Sequence, residues 1–589
     1  MALETIPQRV VDHGQRLGSA PAYFVRGASG WKATSWKTYA DEVRQVAAAL
    51  MALGVEAGQP VCILGANRPE WVIFDVGAMA AGAIPAGIYT TSSPQECAYI
   101  LNHCEAPVIL VENEEQWQKI AAMRDELPHL RHVVMMRGGG TVDDPMVIGW
   151  DEFMGRGAAS GNLDERLAGL RPDTVSTLIY TSGTTGRPKG VMLTQDNLSW
   201  TASQALDLVC ATEKERVLSY LPLSHIAEQM FTIHISAVVG YPVYYAESLD
   251  KLLDNLLEVK PTMFFGVPRV WEKFHAGVAE KLSGAHGAKA KLAERATAVG
   301  RQVTGRRIQG LGAAATAVAQ YKLYDKLVYS KVKGGLGLDE CRIAVSGAAP
   351  IASEVLEFFA GFGLPIYEVY GQSEDTGPTT FNVPGRAKFG TVGPAFPGVE
   401  VKIGSDDEII VRGRNVFAGY FKDQEATDET LHDGWLHTGD LGQFDSDGFL
   451  TITGRKKDII ITAGGKNVAP KLLEGGIRNH PLVAEVVVIG DRRKFLTALV
   501  SLDSEAAGRF MKEGGLSGPP DKCEEIRAEI QQAVDTVNTE MARVEQIKKF
   551  TILPREFSIA EGELTSTLKV KRNVVAEHFT AEIEAMYSG

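Results

Sequence analysis

Between Thr181 and Gly190 the chain reads Thr-Ser-Gly-Thr-Thr-Gly-Arg-Pro-Lys-Gly, which is three glycines, four hydroxyls, one guanidinium and one ammonium in ten residues. Glycines let backbone N–H groups close around an anion, hydroxyls add donors, and the two cations neutralise charge. Such a loop suits a polyphosphate, held by Thr181, Ser182, Gly183, Thr184, Thr185, Gly186 and Lys189. It is not a Walker A loop, because Arg187 follows Gly186 and Gly190 follows Lys189 where G-x-x-x-x-G-K-[ST] would be needed. A plain surface loop would not concentrate so many donors.

Other residues could serve the same ligand. Tyr370-Gly371-Gln372-Ser373-Glu374 offers a ring for a flat base, a glycine for close approach, a hydroxyl for phosphate and a carboxylate for Mg²⁺. An ordinary turn at a strand end would read the same way. Asp440, after Thr438-Gly439, can accept from a pair of ribose hydroxyls, although alone it reads as an Asx turn between strands. Gly347 and Ala348 are small enough for a base to lie against backbone, or for tight packing. Taken singly, Lys569 reads as a surface charge and His225 as a structural histidine.

These residues need a scaffold. Apolar runs at 61–64, 108–111, 243–245, 263–265, 342–345 and 366–370 alternate with helical patterns near 38–53, 68–81 and 248–258. That rhythm predicts an α/β fold with two mostly parallel sheets covered by helices. Thr38 is the expected cap of the first of these helices. Residues 272–338 predict a helical insertion with glycine breaks at 300, 305, 310 and 312, and 390–453 a small β-barrel-like or sheet subdomain. Beyond the charged stretch Gly454–Asp458 an α+β unit follows. The division is therefore 1–455 and 456–589, with strands near 458–462, 484–489 and 496–502 and helices near 470–479, 522–543 and 571–586.

Composition bounds the function. The 589 residues are 45% hydrophobic and 23% charged, as in ordinary globular protein. The six cysteines form no C-x-x-C pair, which argues against a zinc or disulfide framework and for a reducing compartment. Met1-Ala-Leu-Glu-Thr-Ile lacks signal-peptide character and no run of eighteen apolar residues occurs, so the expected location is cytoplasmic. A net charge of −13 disfavours wholesale binding to nucleic acid or to anionic lipid. Residues 273–333 run against it, with twelve Lys/Arg and three Asp/Glu. The expectation there is a peripheral contact with the inner face of the cell membrane, against a solvated helical face or a dock for the phosphates of a ligand.

In order along the chain, 181–190, Leu221–His225, Tyr370–Glu374, Thr438–Asp440, Gly454-Arg455 and Lys569 resemble the motifs of the adenylate-forming, AMP-binding superfamily, over about 35 to 575. Val267–Lys273, the helical insertion and Asp433–Asp440 are most similar to its bacterial long-chain fatty-acid–CoA ligases. The resemblance implies ATP, Mg²⁺ and coenzyme A, and a mobile C-terminal lid hinged at Lys457. It implies that the 181–190 loop holds the β- and γ-phosphates, that Glu374 with Thr181 ligates Mg²⁺, and that Ser373 meets the α-phosphate. Gly347, Ala348, Tyr370, Gly371 and Gln372 would surround adenine, and Asp440 and Arg455 the ribose. His225 would flank the acyl carboxylate, Lys569 would bridge that carboxylate and the α-phosphate, and Gly464, Gly465 and Lys466 would line the coenzyme A channel. Two departures stand out: Ser373 where Thr is commoner, and Ser566 where many relatives carry Pro, which would loosen the Lys569 loop.

The implied reaction is attack of a long-chain carboxylate on the α-phosphorus of MgATP, then transfer of the acyl group to coenzyme A. A ligase that loads acyl-AMP onto a carrier protein is the alternative; an amino-acid-activating module and a nonenzymatic binder fit less well. Phe231, Val238, Val239 and Gly240 are candidates for an acyl pocket, and equally for core. No residue suggests itself as base for the thiol, and the oligomeric state is open, a homodimer being one outcome.

Overall fold

The computed structural model describes residues 4–157, 163–181, 187–539 and 541–588. Ser182, Gly183, Thr184, Thr185 and Gly186 of the anion loop thus lie outside the described residues.

A seven-stranded sheet forms the centre, in the order Val147–Gly149, His132–Met135, Val108–Val111, Pro60–Leu64, Ile84–Ile88, Val175–Thr181 and Lys189–Thr194. Its first six strands are parallel and the last is antiparallel to its neighbour. Apolar layers cover both faces: Val61 and Ile63 enter one, with Val43, Leu50 and Phe74, while Cys62 and Leu64 enter the other, with Ile100 and Trp117. Burial on both sides explains why Val108–Val111 is apolar throughout instead of alternating. A second sheet holds Met263–Gly266, Ile343–Ser346 and Ile366–Tyr370 in parallel, with Thr380–Phe381 antiparallel at its edge. A third joins Val217–Ser219, Val243–Tyr245 and Pro21–Gly27 in parallel to an antiparallel Gly30–Ser35.

The helix over 36–52 is capped by Ser35, which accepts from the Thr38 N–H, so the expected cap is displaced by three residues. Proline opens the helices Pro69–Ala80, Pro94–Cys104 and Pro268–Ser283, where its missing donor costs nothing. The insertion is helical as expected, but Gly300 and Gly305 lie inside the helix Ala288–Ile308 and break nothing. A Cβ at Gly300 would overlap the Gly361 backbone carbonyl, so this glycine marks a close helix crossing. The β-rich segment is a five-stranded antiparallel sheet built on Glu400–Ile403, Glu408–Arg412, Leu431–His432, Trp435–Phe444 and Leu450–Arg455.

From Ile460 onward the chain has apolar cores of its own. The sheet Val483–Ile489, Leu496–Leu502 and Ile547–Ile552 carries the helices Pro470–Arg478, Ser504–Glu513 and Glu524–Thr539 on one face. Arg572–His578 and Thr580–Tyr587 cover the other. This part meets the rest through Thr91 Oγ1 donating to the Ser566 carbonyl (2.7 Å), Arg269 with Asp503 (3.0 Å) and Arg478 with Glu272 (3.8 Å).

Candidate active site

The chemistry-bearing residues gather where parallel strands end. Val175–Thr181 runs into the anion loop, Val217–Ser219 into Tyr220–His225, Ile343–Ser346 into Gly347-Ala348, and Ile366–Tyr370 into Gly371–Glu374. The carboxyl edge of an open α/β sheet is where ligands bind, since loops of unrelated sequence converge there on fixed stems. Gly87 makes one of these approaches possible. A Cβ there would stand 2.8 Å from the Ser224 Cα, so only glycine lets the loop before His225 lie on the strand Ile84–Ile88 of the central sheet.

Asp440 is the hub on one side. Its Oδ2 accepts from the Tyr370 hydroxyl (2.9 Å) and from Gln372 Nε2 (2.6 Å), while Oδ1 faces Arg455 Nε at 3.5 Å. Gln372 Nε2 also donates to the Thr438 carbonyl at 2.9 Å. The sequence reading of 438–440 as a turn is corrected: these residues sit inside the strand Trp435–Phe444, and Asp440 pairs with Arg455 of the adjacent strand. The register against Glu408–Arg412 slips here, and Gly439 takes a φ of +71°, as a β-bulge requires. The bulge re-aims Asp440, and the buried Glu408 carboxylate fixes it by accepting the Gly439 N–H at 2.9 Å.

Across the site, Thr181 and Lys189 are direct partners in the hairpin that carries the anion loop. The Lys189 ammonium lies 4.9 Å from the centre of the Tyr420 ring, and the Tyr420 hydroxyl donates to Glu374 Oε1 at 2.8 Å. Among the described residues no donor meets Glu374 Oε2. Nor do three or more His, Cys, Asp or Glu side chains gather there as a metal cage. A carboxylate oxygen that meets no donor among the described residues fits Mg²⁺, which takes one or two carboxylates and completes its shell from phosphates and water. Arg187 stands over the Tyr99 ring at 5.3 Å, and the Tyr99 hydroxyl donates to the Pro188 carbonyl at 3.1 Å.

Lys569 reaches this cleft from the C-terminal part. Its loop is tied by the Thr565 N–H to the Lys569 carbonyl (2.8 Å) and the Lys569 N–H to Thr565 Oγ1 (3.0 Å). Beneath it the buried Glu563 carboxylate accepts from Arg555 (2.6 Å) and His578 (3.0 Å). The carbonyl of Ser566, the departure from proline, is held by Thr91. The Lys569 side chain touches water yet is ringed by protein, as befits the wall of a cleft. That surrounding, then Arg455 and Lys471, lowers its pKa, while Asp440 and Glu374 raise it. Among the described residues its ammonium has no acceptor within ion-pair reach. His225 caps the helix Ile226–Gln229, its Nδ1 accepting the Ala227 N–H at 3.2 Å, which leaves the proton on Nε2. Burial, then the neighbouring Lys569, holds it neutral with a pKa of about 4.

The structure therefore gathers His225, Glu374, Asp440, Arg455 and Lys569, with Ser373 buried in the turn between Tyr370 and Asp375. Gly347 and Ala348 stand at the neighbouring strand end, Gly347 against Val369 and Phe265. Lys457 lies in the turn Lys456–Asp458, exposed and at the junction. Gly464, Gly465 and Lys466 are not brought in: their turn faces solvent, and Lys466 pairs with Glu545 at 3.4 Å. Of the acyl-pocket candidates, Val239 and Gly240 pack in the core, where the Gly240 carbonyl accepts from Trp36; Phe231 leans on Phe265 at 5.4 Å. Sequence reasoning missed Tyr420, Tyr99, Thr91 and Lys471. Each sits far along the chain from the group it touches or, for Lys471, influences through its charge, and no local pattern marks it.

The AMP-binding enzyme model matches residues 11–421 and the AMP-binding enzyme C-terminal domain model matches 457–589. The long-chain-fatty-acid–CoA ligase FadD15 of Mycobacterium tuberculosis is 40% identical over 95% of this chain and 93% of its own length. The long-chain-fatty-acid–CoA ligase ACSBG2 of Xenopus laevis is 38% identical, over 99% and 84%. Among solved structures, o-succinylbenzoate CoA synthetase of Bacillus subtilis with its acyl-adenylate superposes with a TM-score of 0.70 at 21% identity, over 96% of this chain and 97% of that one.

Proposed function

The chain belongs to the AMP-binding enzyme family, and from that premise we propose that it activates long-chain fatty acids with ATP and transfers them to coenzyme A. The observation that carries this reading is the Lys569 ammonium, without an ion-pair partner among the described residues and set near neutral His225, Asp440 and Glu374. A cation held where a carboxylate and a triphosphate must meet counters their mutual repulsion.

In the first step the fatty carboxylate attacks the α-phosphorus, acyl-AMP forms and pyrophosphate leaves. Tyr370 and Gln372 hold Asp440 through Oδ2, with Arg455 alongside Oδ1, and the carboxylate so fixed accepts from the ribose diol. Lys189 and the hydroxyls of the anion loop take the departing pyrophosphate, and Ser373 contacts the α-phosphate. His225 donates from Nε2 to the carboxylate and Lys569 spans carboxylate and α-phosphate. Mg²⁺ on Glu374, with Thr181, would neutralise phosphate charge. In the second step the thiol of coenzyme A attacks the acyl carbonyl and AMP leaves. Lys569 occupies the thiol's path, so residues 456–589 turn about Lys457 between steps, bringing Gly464, Gly465 and Lys466 toward the thiol.

Product analysis with palmitate and MgATP tests this. Palmitoyl-CoA and AMP are expected with coenzyme A present; palmitoyl-AMP that accumulates regardless of coenzyme A would favour transfer to a carrier protein.

The proposed location is the cytoplasm, with a peripheral membrane contact through 273–333. Along 322–327 the exposed face alternates Lys322, Leu323, Lys326 and Leu327, with the leucines 55% and 43% open and Leu311 48% open nearby. Apolar side chains among lysines suit an anionic bilayer, where long-chain acids partition. Co-sedimentation with anionic liposomes should fall when Lys322, Leu323, Lys326 and Leu327 are replaced by Ser; unchanged binding contradicts it.

A further inference from the structure

The segment 417–421 straps two halves of the cleft together. The Phe417 N–H donates to the Glu374 carbonyl (2.9 Å), Ala418 N–H and Met192 carbonyl pair at 3.0 Å, Met192 N–H and Gly419 carbonyl at 3.0 Å, and the Phe421 N–H reaches the Gly190 carbonyl at 2.8 Å. Its backbone is thus fixed against the outgoing limb of the anion loop and against the Glu374 turn. Buried Tyr420, in the middle, uses both ends of its side chain. The hydroxyl donates to Glu374 Oε1 at 2.8 Å, and the ring face seats the Lys189 ammonium at 4.9 Å.

We propose that Tyr420 is a positioning residue that sets the carboxylate of Glu374 and the ammonium of Lys189 at a fixed separation, so that one divalent cation and one phosphate chain fit between them. The physical reasoning is specific to each end. A carboxylate with Oε1 engaged cannot rotate freely and presents Oε2 outward, which suits a single inner-sphere contact to a hard cation. An ammonium over an aromatic face is oriented without being neutralised, so its charge stays available to phosphate. An ion pair between Lys189 and Glu374 would satisfy both groups and close the site. The intervening ring holds the two charges apart.

The inference rests on reading this cleft as an MgATP site, and the test separates the two. In the full-length protein, Tyr420→Phe keeps the ring and removes the hydroxyl, while Tyr420→Leu removes both; the strap's hydrogen bonds are main-chain and survive in each. ATP binding is measured by calorimetry without divalent cation and then across a Mg²⁺ titration, with melting temperature in parallel and no fatty acid present. Tyr420→Phe should leave metal-free ATP affinity within about twofold and raise the Mg²⁺ concentration for half-maximal enhancement about tenfold, the size of one hydrogen bond to a charged group. Tyr420→Leu should show the same Mg²⁺ shift and also bind metal-free ATP about three- to fivefold more weakly. An unmoved Mg²⁺ requirement in Tyr420→Phe, or one uniform loss in both variants that tracks a lowered melting temperature, overturns the inference. A parent protein that binds no ATP overturns the MgATP reading instead.

Discussion

Replacing Lys569 with Ala should separate catalysis from folding. The side chain touches water and makes no ion pair among the described residues, so its removal orphans no partner there. Its cationic neighbours are Arg455 and Lys471, and loss of a like charge relieves repulsion. The melting temperature should therefore hold or rise slightly. Adenylation should collapse, because a preorganised donor aimed at developing charge is worth about 2.7–4 kcal/mol, or roughly 10²- to 10³-fold in rate. Thioester formation from supplied palmitoyl-AMP should stay within about threefold, since the proposed rotation takes the lysine out of the site for that step. Pyrophosphate release and palmitoyl-CoA formation from the adenylate, measured side by side on both proteins, give the comparison. A loss below about tenfold in pyrophosphate release, or equal losses in both half-reactions, would refute the reasoning.

Other substitutions probe the supports. Asp440→Ala leaves Tyr370, Gln372 and Arg455 without their shared acceptor and should weaken ATP binding by at least about tenfold in calorimetry, with palmitate KM unmoved. Trp271 is fully buried, with its N–H on the Gly266 and Val345 carbonyls at 3.1 and 3.2 Å. Trp271→Ala should cost about 3–5 kcal/mol in urea unfolding, and a loss under about 1 kcal/mol contradicts the packing seen. Glu368 is buried and pushed up to about 8 by loss of solvation, with Oε2 lacking a partner among the described residues. A carboxyl raised in the folded state binds its proton longer than in the unfolded chain, so it erodes stability as pH climbs from the ordinary carboxylate range to about 8. Glu368→Gln should therefore gain stability relative to the parent over that window; parallel melting curves at pH 5 and 8.5 would contradict it.

The scaffold was legible because its signals are local. Val61–Leu64, Val108–Val111 and Ile366–Tyr370 are short apolar runs between breakers, and each is a strand. Glycines were harder, because Gly300 resembles a helix breaker until the Gly361 backbone is seen beside it. The same holds for Gly439, whose bulge depends on a register set by Glu408–Arg412. Lys569 and His225, bland in isolation, acquired meaning from family motifs and then from each other's proximity. Tyr420 had no such aid: its partners lie 46 residues away at Glu374 and across the sheet edge at Lys189. Chain order carries no trace of that meeting. The Gly464–Lys466 turn has a different difficulty, since its proposed role belongs to an arrangement other than the one in which Lys569 fills the cleft.

The central claim is attack of the fatty carboxylate on the α-phosphorus. Palmitate labelled with ¹⁸O in both carboxyl oxygens, turned over with MgATP and coenzyme A, tests it by mass spectrometry of the products. One ¹⁸O should appear in each AMP, with pyrophosphate unlabelled and the thioester keeping the other. Unlabelled AMP, or label in phosphate or pyrophosphate, would contradict the account.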